Sequence, residues 1–129
     1  MTGGDQDDHE VFQFILEKID SVPHLEALLL LWNSRPKLWS AEDLAKRLYV
    51  DVDIARVLLK ELSRVEDISV VPGPDIHYCY ESKSEEKDRI ITLVDTAYRK
   101  QVVRISTMIH SKASSAVRDF ARAFRFTKD

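Results

Sequence analysis

The sequence predicts a mainly α-helical fold with one small β-hairpin, and two stretches carry that prediction. In residues 40–62, apolar residues recur at the spacing that two short helices joined by a tight turn require. In residues 68–80, two short runs rich in β-branched and aromatic residues flank the turn-forming residues Pro72 to Asp75. Helices before and after these stretches complete the expected architecture.

The two short helices are predicted from their apolar faces and from their caps. Ser40 can cap the first helix, and Asp51 can cap the second by accepting from the free amides of its first turn. Val50 is placed to fill the turn, and Tyr49 must either accept or avoid a positive φ there. The two apolar stripes, which must bury each other, are Leu44, Ala45 and Leu48 in the first helix and Ile54, Ala55, Leu58, Leu59 and Leu62 in the second.

This stretch resembles the bacterial winged helix-turn-helix transcriptional regulators. Their pattern has Leu-Ala-x-x-Leu, then a small residue, Val and a capping residue, and a second helix that ends in Lys-x-Leu. The matching residues are Leu44, Ala45, Leu48, Val50, Asp51, Lys60 and Leu62. Tyr49 departs from the pattern, since the family usually has Gly there. Over about residues 24–81, the resemblance implies a three-helix core with a β-hairpin wing and a regulator that binds DNA.

The elements before the motif follow from periodicity and breakers. Residues 1–7 are predicted to be a disordered lead, and residues 8–22 contain an N-terminal helix with Val11, Phe12, Ile15, Leu16 and Ile19 on its apolar side. Pro23 suits the first turn of the next helix and opens the winged-helix domain of residues 23–82. That helix carries Leu25, Leu28, Leu29 and Trp32, and Leu38–Trp39 is predicted to be a short strand that pairs with the wing.

Residues 83–129 are predicted to form a long amphipathic helix, from about Glu85 to Ser111, and a short basic one. We interpret the apolar stripe of the long helix as the seam of a homodimer, because such a stripe needs a partner and a twofold dimer is the commonest oligomer. The alternative is that the helix folds back over its own domain. The stripe consists of Ile91, Val94, Tyr98, Val102, Ile105 and Ile109.

The last segment, residues 114–126, places aromatic residues on one side of a helix and arginines on the other. Such a helix can pack within the protein, bind a protein partner or lie on an anionic membrane surface. Packing within the protein is the most frequent of the three. The candidate partner-binding residues are Phe120, Phe124, Arg118 and Arg122.

Composition narrows the class of protein. The lone Cys79, the acidic start of the chain and the absence of a long apolar run favour a soluble cytoplasmic protein without a transmembrane segment. No catalytic or cofactor signature is found, and His77 and Cys79 alternate on one strand without further ligands at metal-site spacing, so we expect neither an enzyme nor a metal protein. The net charge of −3 divides unevenly: residues 1–88 hold 10 Lys and Arg against 19 Asp and Glu, and residues 89–129 hold 9 against 3.

The second motif helix is the candidate reader of double-stranded DNA. By the family pattern, its outward positions are Val52, Asp53, Arg56, Val57 and Lys60. Arg56 can contact guanine and Lys60 a phosphate, but Asp53 and a wing tip without Arg or Lys weaken the interface. Further candidate DNA contacts are Lys46, Arg47 and Arg64. Two hypotheses remain: a dimeric DNA-binding regulator, and a winged-helix module that binds another protein instead of DNA.

Overall fold

The computed structural model describes residues 3–65 and 67–112, which form helices and one small antiparallel sheet. The elements are α1 (Gly3–Lys18), α2 (Val22–Asn33), β1 (Trp39–Ser40), α3 (Ala41–Leu48), α4 (Val52–Val65), β2 (Ile68–Val71), β3 (His77–Tyr80) and α5 (Glu85–Lys100). A further helix, α6, occupies residues 102–112. The predicted combination of a mainly helical chain with a small β-hairpin is confirmed. Among the described helices, none has both the length and the hydrophobicity that crossing a bilayer demands.

Helix α1 starts earlier than the sequence predicts. It begins at Gly3, so residues 3–7 are helical where a disordered lead is predicted. Val11, Ile15 and Ile19 are buried as predicted, but Leu16 is 46% exposed and Phe14 is buried in its place. The prediction for Leu16 is wrong because α5 packs along the side of α1 that carries Phe14, where the Lys87 ammonium lies over the Phe14 ring.

Helix α2 is the central helix, and it contacts α3, α4, α5 and β3. Ser21 caps it by accepting a hydrogen bond from the backbone N–H of His24, and Pro23 lies in its first turn as predicted. Because neighbours surround it, α2 is apolar on more than one face. Its buried residues are Leu25, Ala27, Leu28, Leu29, Leu31 and Trp32.

Helices α3 and α4 form the predicted pair, joined by residues 49–51. The Ser40 hydroxyl caps α3 by accepting from the N–H of Asp43 at 3.1 Å. The prediction that Ile54 belongs to the core is wrong, since its side chain is 47% exposed while Val52 packs against the core. Ile54 lies at the start of α4, beside an open cleft that the first turn of α2 does not fill. The remaining members of the second stripe, Ala55, Leu58, Leu59 and Leu62, are buried.

Tyr49 accepts the left-handed conformation that the turn imposes. Its φ is 59° and its ψ is 47°, and its side chain is 93% exposed. A non-glycine residue in this region is strained because its Cβ crowds the backbone. We therefore expect Tyr49→Gly to raise the free energy of unfolding by about 0.5–1 kcal/mol, measured by urea denaturation. Tyr49→Ala keeps the strain and serves as the control; an equal gain in both variants would contradict this explanation.

The sheet has the order β1-β3-β2 and is antiparallel throughout. Trp39 pairs with Tyr78, so the short strand before α3 joins the hairpin as predicted, although it spans Trp39–Ser40 rather than Leu38–Trp39. Trp32 of α2 and Tyr80 of β3 are buried and meet edge to face with ring centroids 5.0 Å apart. These contacts fix the hairpin against α2 and hold it beside α4.

The predicted long C-terminal helix is interrupted. Helix α5 ends at Lys100, and Gln101 adopts a non-helical conformation before α6 begins. The interruption turns α6 back toward the start of α2, where the Lys112 ammonium donates to the Ile19 carbonyl at 2.8 Å. A single continuous helix would carry Lys112 away from that carbonyl, because each residue adds about 1.5 Å of length.

The apolar stripe of α5 and α6 packs mainly within its own chain. Four of the six residues predicted for dimerisation are buried in the chain's core, namely Ile91, Val94, Ile105 and Ile109. Tyr98 is half-buried, and burial, followed by the charge of Glu26, raises its pKa. Val102 remains 45% exposed. The structure therefore corrects the dimer assignment for the four buried residues, which a second subunit cannot reach while the chain keeps this fold.

Candidate nucleic-acid interface

The solvent-facing side of α4 is the first candidate surface. The described side chains exposed on its first three turns are Asp53, Ile54, Arg56, Val57 and Lys60. The sequence assigns four of these five correctly and places Val52 where the structure has Ile54. We call these five residues the α4 outer face. On the other side of α4, Leu58, Leu59 and Leu62 are buried. The α4 outer face therefore belongs to a helix that is fixed to the core.

Arg56 and Lys60 lie together in a cleft between α4 and the hairpin. The cleft holds about 500 Å³. Arg56 and Lys60 lie one helical turn apart, about 6 Å along the axis of α4. The charge of the cleft is mixed, because Glu42 and Asp75 line it as well. Its remaining lining residues are Ser40, Ala41, Val57, Pro74, Ile76 and Tyr78.

Asp53 holds Arg56 in an exposed ion pair. The Arg56 Nη1 donates to the Asp53 Oδ1 at 2.8 Å, and the two side chains are 57% and 88% exposed. A pair this exposed contributes little to stability because water and salt screen it. Arg56 can therefore leave Asp53 for another anion at small cost, while Asp53 continues to repel phosphates that approach the same turn.

The other predicted DNA contacts are not gathered at this cleft. Arg47 lies on the far side of α3, in a surface groove that Glu26, Asp95 and Arg99 also line. Arg64 lies at the other end of α4, beside Glu17 and Lys18 of α1. Lys46 is exposed on α3, one turn after Glu42 and therefore on the same side as the cleft. The structure thus brings Arg56 and Lys60 together, keeps Lys46 nearby and separates Arg47 and Arg64 from them.

A second cleft, almost entirely apolar, lies on the opposite side of the α4 outer face. It holds about 410 Å³ between the first turn of α2 and the start of α4. Pro23, Ile54, Val57 and Leu58 supply its apolar surface. The sequence does not predict this cleft, because it depends on how far the first turn of α2 stands from α4.

One group of potential metal ligands occurs among the described side chains. Asp20, His24 and Glu61 each offer a ligand atom, and the three atoms lie within 4.8 Å of one another. His77 and Cys79 join no comparable group in that part of the chain, and burial, followed by the charge of Glu81, raises the pKa of the Cys79 thiol. A raised thiol pKa disfavours the thiolate that metals bind. The sequence misses the first group because 37 positions separate His24 from Glu61 and no short motif links them.

The predicted partner-binding residues Phe120, Phe124, Arg118 and Arg122 lie outside the described residues.

Comparison with known proteins gives a likeness of fold. No family model and no curated protein sequence matches the chain. Among solved structures, the chain is similar to the crystal structure of RV1404 from Mycobacterium tuberculosis, with a TM-score of 0.52 and 18% sequence identity. The alignment covers 91% of this chain and 80% of that one. At this identity the likeness concerns the fold alone, and it extends over nearly the whole chain, including helices outside the α3–α4 pair and its hairpin.

Proposed function

We propose that this protein is a winged-helix transcriptional regulator that binds double-stranded DNA as a dimer. In this proposal α3 and α4 are the helix-turn-helix, the β2–β3 hairpin is the wing, and α4 enters the major groove. The observation that carries it is the α4 outer face, which presents Arg56 and Lys60 from a helix whose other side is anchored in the core. Arg56 and Lys60 are basic residues on the exposed side of the second motif helix, which is the helix that contacts bases in helix-turn-helix proteins.

The chemistry of the α4 outer face supports contacts to both bases and backbone. A major groove about 12 Å wide admits one helix, and α4 has 14 residues, enough to lie along it. Arg56 has the fork geometry that pairs with guanine, Lys60 can neutralise a phosphate, and the exposed Val57 can contact thymine methyl groups. The net charge of −3 makes such local contacts essential, because no general positive field attracts DNA to the chain.

The experiment that tests this proposal measures the binding of the full chain to duplex DNA by fluorescence anisotropy at low and moderate salt. We expect an affinity whose logarithm falls linearly with the logarithm of salt concentration, because each neutralised phosphate releases counterions. Absence of binding even at low salt would exclude a DNA-binding role for the isolated chain.

A protein-binding module is the second candidate function, and the apolar character of the same region favours it. Ile54 and Val57 are 47% and 53% exposed, and Val70 and Ile76 of the hairpin region are 47% and 51% exposed. Exposed apolar side chains close together are typical of protein interfaces. Glu42 and Asp75 fit this alternative better than they fit a phosphate backbone. Absence of DNA binding would make it the preferred proposal.

For the dimer, we propose a contact at the junction of α5 and α6 instead of the buried stripe. Val102 and Val103 are 45% and 79% exposed at the first residues of α6. We expect Val103→Lys to yield a folded monomer, because it sets a charge against its own copy across a twofold axis. Light scattering after size-exclusion chromatography measures the change, with the exposed Val70→Lys as the control. A Val103→Lys variant with the wild-type mass would exclude this contact.

A further inference from the structure

The strongest chemical feature outside the α4 outer face is the group formed by Asp20, His24 and Glu61. Asp20 lies in the connection between α1 and α2, His24 in the first turn of α2, and Glu61 in the C-terminal half of α4. His24 Nε2 and Glu61 Oε2 are 2.8 Å apart, and the His24 side chain is only 14% exposed. We propose that this group binds a divalent transition-metal cation, with Zn²⁺ as the representative ion.

The Ser21 hydroxyl contacts the ring nitrogen of His24 that faces away from Glu61. Its hydroxyl oxygen lies 2.6 Å from His24 Nδ1 and also accepts from the His24 backbone N–H at 3.3 Å. When Nδ1 carries the imidazole proton and donates it to Ser21, the Nε2 lone pair faces the carboxylate of Glu61. In this tautomer the two atoms, 2.8 Å apart, are both acceptors, and a metal ion bound beside them offsets their repulsion. Orientation of a ligand histidine through its second nitrogen is the usual arrangement in metal sites.

The donor set determines the class of metal. One imidazole nitrogen and two carboxylate oxygens suit divalent first-row ions such as Zn²⁺, Co²⁺ and Mn²⁺. Ligand atoms around such an ion stand about 3.0–3.5 Å apart, since each metal–ligand bond is about 2.0–2.2 Å. His24 and Glu61 are already near this separation, and Asp20 can approach by rotating, because its side chain is 74% exposed. Water completes the coordination.

Lys112 is the competitor for this site. Its ammonium lies 3.7 Å from Asp20 Oδ1 and donates to the Ile19 carbonyl. A bound cation displaces this weak contact and ties the connection between α1 and α2 to α4. The ion thus stabilises the fold, because it binds a site that exists only when these three segments meet. This inference does not depend on whether α4 contacts DNA.

The test uses the full chain, freed of metal by a chelator, and titrates it with Co²⁺ as a spectroscopic probe and with Zn²⁺ by calorimetry. We expect one equivalent to bind and the thermal midpoint to rise. Asp20→Asn, which changes an exposed side chain and spares the fold, and His24→Ala should each weaken binding at least about tenfold. Lys112→Met should tighten it, because the competing ammonium is gone.

The matched controls are His77→Ala and Cys79→Ser, which remove the two potential metal ligands on β3. Both should bind the probe as the wild type does. The proposal is wrong if the wild-type chain shows no saturable binding, or if Asp20→Asn and His24→Ala retain the wild-type affinity.

Discussion

Replacing Arg56 and Lys60 together with alanine is expected to weaken binding to duplex DNA by at least about tenfold at moderate salt. The reason is that these two cations are the ones that α4 presents beside the hairpin, one turn apart in a single cleft. Loss of a phosphate contact should also reduce the salt dependence, by about one in the slope of log K against log salt for each contact removed. Anisotropy titrations at several salt concentrations measure both effects.

The controls for this prediction change charged residues away from the cleft and one charged residue beside Arg56. Arg47→Ala with Arg64→Ala also removes two positive charges, from the far side of α3 and the far end of α4, and it should leave the affinity nearly unchanged. Asp53→Asn should act in the opposite direction to the double variant, because it frees Arg56 from its 2.8 Å pair and removes a charge that repels phosphates. An equal loss of affinity in this control and in the Arg56 and Lys60 double variant would show that only overall charge matters and that α4 does not dock.

Replacing Ile105 with alanine is expected to lower the free energy of unfolding by about 2–5 kcal/mol. Ile105 is fully buried, and it belongs to the core that α1 and α2 also build. The truncation leaves a cavity that the rigid neighbouring helices fill only in part. Urea denaturation measures the loss. Val102→Ala, three residues earlier and 45% exposed, should change the free energy by no more than about 0.5 kcal/mol.

This prediction also separates the two roles that an apolar stripe can have. If Ile105 packs within its own chain, Ile105→Ala destabilises the fold and leaves the subunit count unchanged, whereas Val103→Lys does the reverse. If the stripe instead formed a seam between subunits, Ile105→Ala would release a monomer that is still stably folded. Light scattering on both variants distinguishes these outcomes.

Much of the fold could be predicted because it depends on local chemistry. The cap at Ser40 and the turn at Tyr49 both follow from interactions between residues close in sequence. The resemblance to the winged-helix regulators implies which side of α4 faces solvent, and the exposure of Arg56, Val57 and Lys60 agrees with it. Helical periodicity predicts the burial of Ile54 and Leu16 wrongly. At these two positions, burial depends on whether a neighbouring helix reaches the side chain, not on the residue type.

The sequence by itself determined most of the helical segments, where the hairpin lies and which cations α4 carries, because caps, turns and apolar spacing act over a few residues. Only the tertiary structure decided what covers each apolar stripe and which polar groups meet. An apolar stripe indicates that one side of a helix is buried, but it does not indicate which part of the protein covers it. The interruption at Gln101 and the packing of α6 onto the core are therefore known only from the structure. The meeting of His24 with Glu61 likewise depends on how α2 crosses α4, which no local pattern encodes.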